Sequence, residues 1–550
     1  MLAGLAGILL ACLLRRPVLR QLTTGVPEDL GDPLLQAWQL AWGREALLRQ
    51  PSNPFDANTF WPLENSLAFS DSLLGYAPLG LLFAEGTGGA LLRYNIVFLL
   101  TYALAFTGAY ALARQLAAGR TAGAVAGLAF AYAPWHLAQE GHLQILSSGG
   151  IPLALALLAR GHGYGRASGR SGPPRPALVL AGWAVAAWQI TIGFGLGLQF
   201  GYLLGVLTVV YTAACLLRSW RRHPDGRPSR RLVAADLGGM ALFLLVAVTF
   251  ALPYLAVVDQ HPESQRTVAD LALFSPPAVG FVTAPADSLL YGGRQEDQRA
   301  ALGFAPEMTL AVGGTLVVLA AVGVAAGRWP RRRRWSLAGA AVVLLALAMG
   351  TQFPGGGRWA YLLLFDYAPG WEGIRTPGRL VVPLTLALAL LAATGLDRLR
   401  EAAGGRRRAL ATGVLAFALV GAESLGTTPV LPAPAAPAAL RDATGPVLVL
   451  PSDATSDLQA MFFSTEGLYP LVNGYSGFTP ASLDALRAAV APFPDPTSVQ
   501  LLRQLGVRQV VLLPALATGT RWEQAAGRSV DGLPLSRRLV GEAVVYALDP

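Results

Sequence analysis

Lysine is absent from this 550-residue chain, so all 42 of its basic residues are arginine. That reads as a compositional bias. The arginine clusters serve as membrane-topology signals, and no nucleic-acid partner is inferred from the net charge of +9. Cysteine occurs twice, as Cys12 and Cys215, both inside apolar runs. This excludes a disulfide framework and a cysteine metal site. Five histidines, His136, His142, His162, His223 and His261, are too scattered for a histidine-rich metal cluster. Charge is scarce too: 14% of residues are charged, against about 25% in ordinary globular chains. With 53% hydrophobic residues and a mean hydropathy of +0.46, the composition is that of a polytopic membrane protein.

The first apolar run, Leu2 to Leu14, is too short to cross a hydrocarbon core of about 30 Å. A span there has to continue to Leu22 and carry Arg15 and Arg16, whose heads would snorkel to the interface. No signal peptide is expected, because the charge follows the apolar run. Further spans are expected over Leu92–Ala113, Thr121–Leu137, Leu143–Ala159, Ala177–Ile192, Leu196–Leu217 and Leu232–Val257. The series ends with Met308–Ala326, Ser336–Met349, Leu380–Gly395 and Leu410–Ser424. The length criterion thus gives about eleven spans.

Alternate loops differ in charge. One set, at 114–120, 160–175, 218–231, 328–334 and 398–408, carries 22 arginines; the other carries nine, spread over far more residues. By the positive-inside rule the first set is cytoplasmic. The opening loop, the turn at Glu140–His142, and the loops Asp259–Ala305 and Gln352–Pro377 then face outward. After the apolar series comes a Pro/Ala linker, 427–439. Residues 440–550 alternate strand-like runs (GPVLVLP, VRQVVLLP, EAVVYAL) with helical ones (SLDALRAAVAPF, PTSVQLLRQLG). The expected fold class is mainly α: a polytopic transmembrane helix bundle over 1–426 with a large outer loop, 23–90, and a small C-terminal extracytoplasmic α/β domain.

The longest polar interval of the first half is Gly25 to Asp71, with Glu28, Asp29, Asp32, Asp56, Glu64 and Asp71. Gly31-Asp32-Pro33 suits a helix start, with Asp32 as a candidate cap. Trp38 and Trp42, four apart on the following amphipathic helix, predict that it lies in the membrane interface. Asp71 opens a second interfacial helix, as its cap or as a substrate contact. His142 stands with Glu140 and Gln144 in a tight outer turn and is a candidate substrate ligand. His136 reads as a packed residue. Arg375 and Arg379, in IRTPGR, are outward arginines before a span, and their planar donors suit phosphate oxygens. The alternative for them is lipid-headgroup contact. Tyr291, Gly292 and Gly293 are further residues that could line a site.

GDPLLQAWQLAW, NPFDANTFWPLENSLAFSDSLLGYAPL, EGHLQ, IRTPGR and NGYSGF together resemble the GT-C superfamily of membrane glycosyltransferases. The likeness is to bacterial, mannosyltransferase-like members that use polyprenyl-phosphate sugars. It implies that a carboxylate just after the first span is the catalytic base, for which Asp32 is the first choice and Asp29 the second. In place of a DxD triplet stands Glu28-Asp29-Leu30-Gly31-Asp32. The resemblance therefore gives no ground for a metal or other cofactor.

The function this implies is inverting transfer of a monosaccharide from a polyprenyl-phosphate donor to a glycan, lipid or protein acceptor. The expected place is the outer face of a bacterial inner membrane, with the lipid bilayer itself a partner. Two alternatives belong to other classes: a transporter or flippase of lipid-linked sugars, and a non-catalytic relative that binds glycan. Transporters place ionisable groups near the midplane. The spans here are almost free of charge and the outer loops are not, which favours surface chemistry. The facing pair expected to hold the sugar-phosphate bond is Asp32 against Arg375/Arg379. NGYSGF, Asn473 to Phe478, is a candidate sugar-stacking segment or a packed turn.

Overall fold

Every helix-favouring apolar run of the sequence forms helix, but several end earlier than their hydropathy does. The computed structural model describes residues 2–165, 173–220 and 229–549. His223 and the topology arginines Arg166, Arg170, Arg221, Arg222 and Arg227 lie outside the described residues. Among the described residues five helices are long and apolar enough to cross a membrane: Gly86–Gln115, Leu143–Gly161, Phe194–Leu217, Arg230–Gln260 and Pro377–Ala402. Shorter apolar helices are Leu2–Leu14, Pro176–Ile192 and Gly314–Ala326. The run expected to span from Thr121 to Leu137 is helical only over Arg120–Ala131; Pro134 then starts a 3-10 segment, Pro134–Gln139.

The chain divides into two compact units. The first comprises Met1–Arg16, Phe98–Phe250 and Arg266–Thr428. Its centre is the helix Val381–Ala402, buried from Val381 to Asp397 on almost every face. It crosses Gly314–Ala326 very closely. A Cβ on Gly323 would stand 2.0 Å from the Leu391 carbonyl, and one on Gly395 would stand 2.3 Å from that of Leu319. Glycine on both helices is what lets the backbones approach, as is common between apolar helices. The 3-10 turn Pro377–Leu380 leads straight into this helix, so Arg379 is mounted on the most enclosed element of its unit.

Arg15 corrects the expectation of snorkelling. Its side chain is 1% exposed, and its Nε lies 2.6 Å from Glu140 Oε1, itself 2% exposed. The Tyr102 hydroxyl donates to the same carboxylate at 3.0 Å. The guanidinium stacks on the Tyr102 ring, 4.7 Å from its centroid. The ion pair explains how a charge fits at the end of an apolar helix: its partner is internal.

The second unit comprises Pro17–Val97, Ala251–Gln265 and Pro429–Pro550. Gly25–Pro27 pairs antiparallel with Val430–Pro432. A mixed sheet runs in the order Val447–Leu450, Gln509–Leu512, Ala543–Leu548, Leu535–Val540. The first two strands are parallel and the rest antiparallel. The parallel pair is joined through the helices Ala454–Phe463, Ala481–Ala489 and Pro496–Gln504, as a parallel connection requires. Leu448, Leu450, Val499, Leu502, Val510, Leu512, Val544 and Tyr546 form its apolar core.

The helix Asp32–Arg49 differs from its expectation. It is enclosed within the second unit rather than laid on an interface: Pro33 to Gly43 are all buried, including Gln36 and Gln39. The segment that follows supplies the polar partners that lipid headgroups would have supplied. Trp38 Nε1 donates to Asn58 Oδ1 at 2.9 Å, and Trp42 Nε1 donates to the Pro54 carbonyl at 2.9 Å. No interfacial helix opens at Asp71. Residues beyond it form only the turns Leu74–Tyr76 and Ala77–Gly80, because Gly75, Pro78 and Gly80 interrupt the run.

Candidate functional site

Within the first unit, polar groups from two separate loops, 139–142 and 375–379, converge on Glu307. Glu307 sits on the short turn Ala305–Met308 and is 5% exposed. Arg379 donates to its Oε1 at 2.6 Å. His142 Nε2 lies 3.8 Å from the same oxygen. Gln139 Nε2 reaches Glu307 Oε2 at 3.5 Å and the Pro306 carbonyl at 3.0 Å. Burial alone would push the Glu307 carboxyl up. Arg379, His142 and Arg375 outweigh burial and hold it below the ordinary glutamate value.

Backbone contacts make this arrangement rigid. The Trp135 amide donates to the Ala311 carbonyl, and those of Leu310 and Ala311 donate to Gly280 and Thr283. A Cβ on Gly378 would press on the Leu310 side chain at 3.0 Å and the Glu307 carbonyl at 3.2 Å, so glycine lets the arginine loop approach. Arg375 is half-buried and lies over the Phe274 ring, 5.0 Å from its centroid. It also neighbours Arg266. Burial, then Arg375, push the Arg266 guanidinium below its usual value, and Asp270 opposes them. Asp270 is held low by the Thr267 amide and hydroxyl, which it accepts in a capping box. Three guanidinium groups and one imidazole thus face two carboxylates, leaving an excess of positive charge on half-exposed loops. Such a cluster can hold an anion, above all a phosphate.

The predicted residues His142, Arg375 and Arg379 are therefore brought together. Glu307, which organises them, and Gln139, Arg266 and Asp270 escaped the sequence reading as site residues. Gln139 and Glu307 each adjoin an expected span, but nothing in the sequence joins them to one another; Arg266 and Asp270 lie within an outer loop and carry no such signal. Tyr291 is engaged elsewhere: its hydroxyl donates to Glu423 Oε1 at 2.9 Å. Glu423 also accepts from the Thr315 amide at 3.0 Å, at the start of the helix Gly314–Ala326. His136 is buried and stacks on Trp135 at 3.7 Å, a packed residue.

The second unit holds the other candidates. Asp32 is the first residue of its helix, whose cap is Gly31 with no side-chain bond, so Asp32 is not the cap. It is half-buried, while Asp29 is exposed and accepts from the Gly31 amide at 2.7 Å, closing the turn. Gln36 and Gln39 follow Asp32 at helical spacing on one face. Gln39 Nε2 donates to the Asp71 carbonyl at 2.8 Å and to Ser70 Oγ at 3.1 Å. Seven residues of helix, about 10 Å, separate the positions of Asp32 and Gln39. Asp32 and Asp71 are thereby tied to one helix face. The Tyr254 hydroxyl donates to the Ser70 carbonyl at 3.1 Å, fixing the same strip.

NGYSGF resolves into a packed turn at its first residue. Asn473 is fully buried, bridges both backbone groups of Val449, and donates to Asp457 at 2.6 Å. Arg487 pairs with Asp457 at 2.7 Å. At the other end Phe478 packs on Phe69, with ring centroids 4.8 Å apart, and near His261 at 5.8 Å. Among the described residues, no group of three or more His, Cys, Asp or Glu side chains is placed to hold a metal ion.

No protein-family model matches the sequence, and no curated protein does. Solved structures do. The arabinofuranosyltransferase AftD from mycobacteria superposes with a TM-score of 0.57 at 16% identity, over 100% of this chain and 41% of that one. The oligosaccharyltransferase of Archaeoglobus fulgidus gives 0.46 at 12% identity, over 92% of this chain and 69% of that one. ArnT from Cupriavidus metallidurans gives 0.38 at 17% identity, over 99% and 98%. The chain spans about two fifths of the length of AftD. The first superposition takes in the whole of this chain, and at that identity it is a likeness of fold. The chain shares the fold of the part of AftD that it superposes on.

Proposed function

We propose that this protein is an inverting glycosyltransferase, taking a monosaccharide from a polyprenyl-phosphate donor at the outer face of a bacterial inner membrane. The acceptor is a hydroxyl or amide group of a glycan, lipid or protein. The observation that carries the reading is the cluster of the Arg375 and Arg379 guanidinium groups with the His142 imidazole around buried Glu307, in a bundle otherwise poor in charge. A lipid phosphate is the anion such a cluster at the end of apolar helices would meet. Arg375 and Arg379 bind the donor phosphate and neutralise it as it leaves. Glu307 orients Arg379 and His142 and takes no proton. Asp32 accepts the proton of the attacking group, with Asp71 and the Gln36/Gln39 face beside it binding acceptor.

The acceptor oxygen or nitrogen bonds to the anomeric carbon, the carbon–phosphate oxygen bond breaks, and configuration inverts in this single displacement. The proposal further includes about eleven crossings, five of them the described helices of membrane length and the others shorter, with cytoplasmic arginine-rich loops and an external C-terminal segment. The test is release of polyprenyl phosphate by the purified protein in nanodiscs, over a panel of polyprenyl-phosphate sugars with glycan and peptide acceptors. Turnover with one donor, lost in Asp32→Asn, supports the proposal. A protein that neither binds polyprenyl phosphate nor releases it from any donor overturns it.

A further inference from the structure

The loop between the apolar helices Arg331–Ala348 and Val381–Ala402 carries an aromatic stripe that the site does not use. Gly355, Gly356 and Gly357 all have left-handed φ, 79°, 71° and 77°, a run that only glycine adopts readily. They turn the chain into the short helix Tyr361–Tyr367. Trp359, Leu363 and Tyr367 follow at intervals of four and are 78%, 45% and 81% exposed. Within the helix, Leu363 and Tyr367 are four apart and share a side; Trp359 is exposed in the turn just before it. The opposite side is fastened to the unit. Tyr361 is fully buried, and its hydroxyl donates to the Ile374 carbonyl at 2.9 Å. Its ring stands edge-on to Trp371 at 5.6 Å.

Depth follows from a second contact. The Tyr202 hydroxyl donates to the Pro369 carbonyl at 3.0 Å, and its ring packs edge-on against Trp371 at 5.6 Å. Tyr202 lies eight residues into the span-length helix that begins at Phe194, which is about 12 Å along its axis. The loop is thus moored to the flank of a membrane-length helix well inside its end, and does not stand free in water. A large exposed aromatic stripe at that level matches the amphipathic boundary of a bilayer, where Trp and Tyr rings seat best.

We infer that Trp359, Leu363 and Tyr367 form a foot that inserts into the headgroup–acyl boundary of the leaflet this loop faces. Arg358, exposed beside Trp359, meets lipid phosphates there. The Tyr361–Ile374 bond joins the foot to the residue before Arg375, so insertion fixes the height of that guanidinium at the membrane. This last consequence rests on the proposed function; the insertion does not.

The test is depth measurement by spin labelling in nanodiscs. With Cys12→Ala and Cys215→Ala as background, nitroxides are attached to the variants Leu363→Cys and, as a water-exposed control on an arginine-rich loop, Arg407→Cys. The expected result is preferential collision with oxygen at 363 and with an aqueous nickel chelate at 407. Equal exposure of both labels to the nickel chelate overturns the inference. So does dipolar broadening at 363 that appears only with two copies per disc, which would mean that a second copy covers the stripe. Both readings are taken without substrate, so they stand apart from the fate of the glycosyltransferase proposal. In a protein with established turnover, Trp359→Ser with Tyr367→Ser is expected to raise KM for a long-chain donor. Turnover of a short-chain, water-soluble donor analogue is expected to be unchanged.

Discussion

Arg379 donates to Glu307 across 2.6 Å, from the turn that opens the most enclosed helix of its unit to a carboxylate 5% exposed. Arg379→Ala strands that carboxylate, and removing one partner of a buried pair costs about 3–5 kcal/mol. Arg379→Ala is therefore expected to lower the unfolding temperature as well as donor affinity. Arg375 is half-buried and stacks on Phe274. Arg375→Ala is expected to weaken donor binding and turnover together, at nearly wild-type stability. Calorimetry of both variants beside a polyprenyl-phosphate binding assay separates the two outcomes. Equal loss of stability would place Arg375 in the scaffold.

The same pair predicts an acid limit. Glu307 is held below its ordinary value in the folded chain, so unfolding raises its proton affinity. Its contribution is complete above the unfolded value of about 4.3, and is lost as pH falls through the lower folded value. Asp270, held low by Thr267, acts in the same sense. Unfolding temperature is expected to drop below about pH 4, and to drop less steeply in Glu307→Gln.

The arginine pair IRTPGR and the turn EGHLQ could be found in the sequence because polar residues beside apolar runs need a reason. Glu307 could not, because its meaning comes from two loops that reach it from 139–142 and 375–379. Trp38 and Trp42 were misread for a related reason. Periodicity shows which face of a helix is apolar; it does not show whether lipid or the segment 50–76 covers it. The strands at 447, 509 and 543 are plain from their apolar, valine-rich runs. The edge strand Leu535–Val540 was not, since its exposed Arg537 and Arg538 break that pattern, as edge strands tend to do.

Glu140 and Arg15 make a prediction of the opposite kind. Glu140→Ala leaves a buried guanidinium without its counter-charge and is expected to cost about 3–5 kcal/mol. Arg15→Met with Glu140→Met removes both charges at once and is expected to recover most of that loss. Thermal unfolding of the three proteins in nanodiscs checks it. If the double variant is no more stable than Glu140→Ala, the charges hold the turn at 134–142 in a way that packing cannot replace.

Loop charge predicts sidedness within the first unit. A cysteine replacing exposed Arg407 is expected to react only with reagents that reach the cytoplasm, and one replacing exposed Arg358 only with external ones. Labelling of intact cells with a membrane-impermeant maleimide reads this directly. External reaction at 407 would reverse the orientation and remove the arginine loops' role as topology signals.

Asp32 gives the sharpest chemical test, because the structure separates it from its neighbour. Asp29 closes a turn through the Gly31 amide, while Asp32 begins the helix without capping it. Asp29→Asn keeps an acceptor for that amide, so only a small change in turnover is expected. Asp32→Asn keeps the shape but cannot take a proton. Turnover is expected to fall by about two to four decades, with donor binding intact. Binding and single-turnover transfer, measured on the same preparations, give the comparison. Loss of transfer in Asp29→Asn with retention in Asp32→Asn would move the base by three positions and leave the mechanism standing. Activity in both variants would leave the acceptor's proton without a base in this turn, and the glycosyltransferase proposal would lose its chemical foundation.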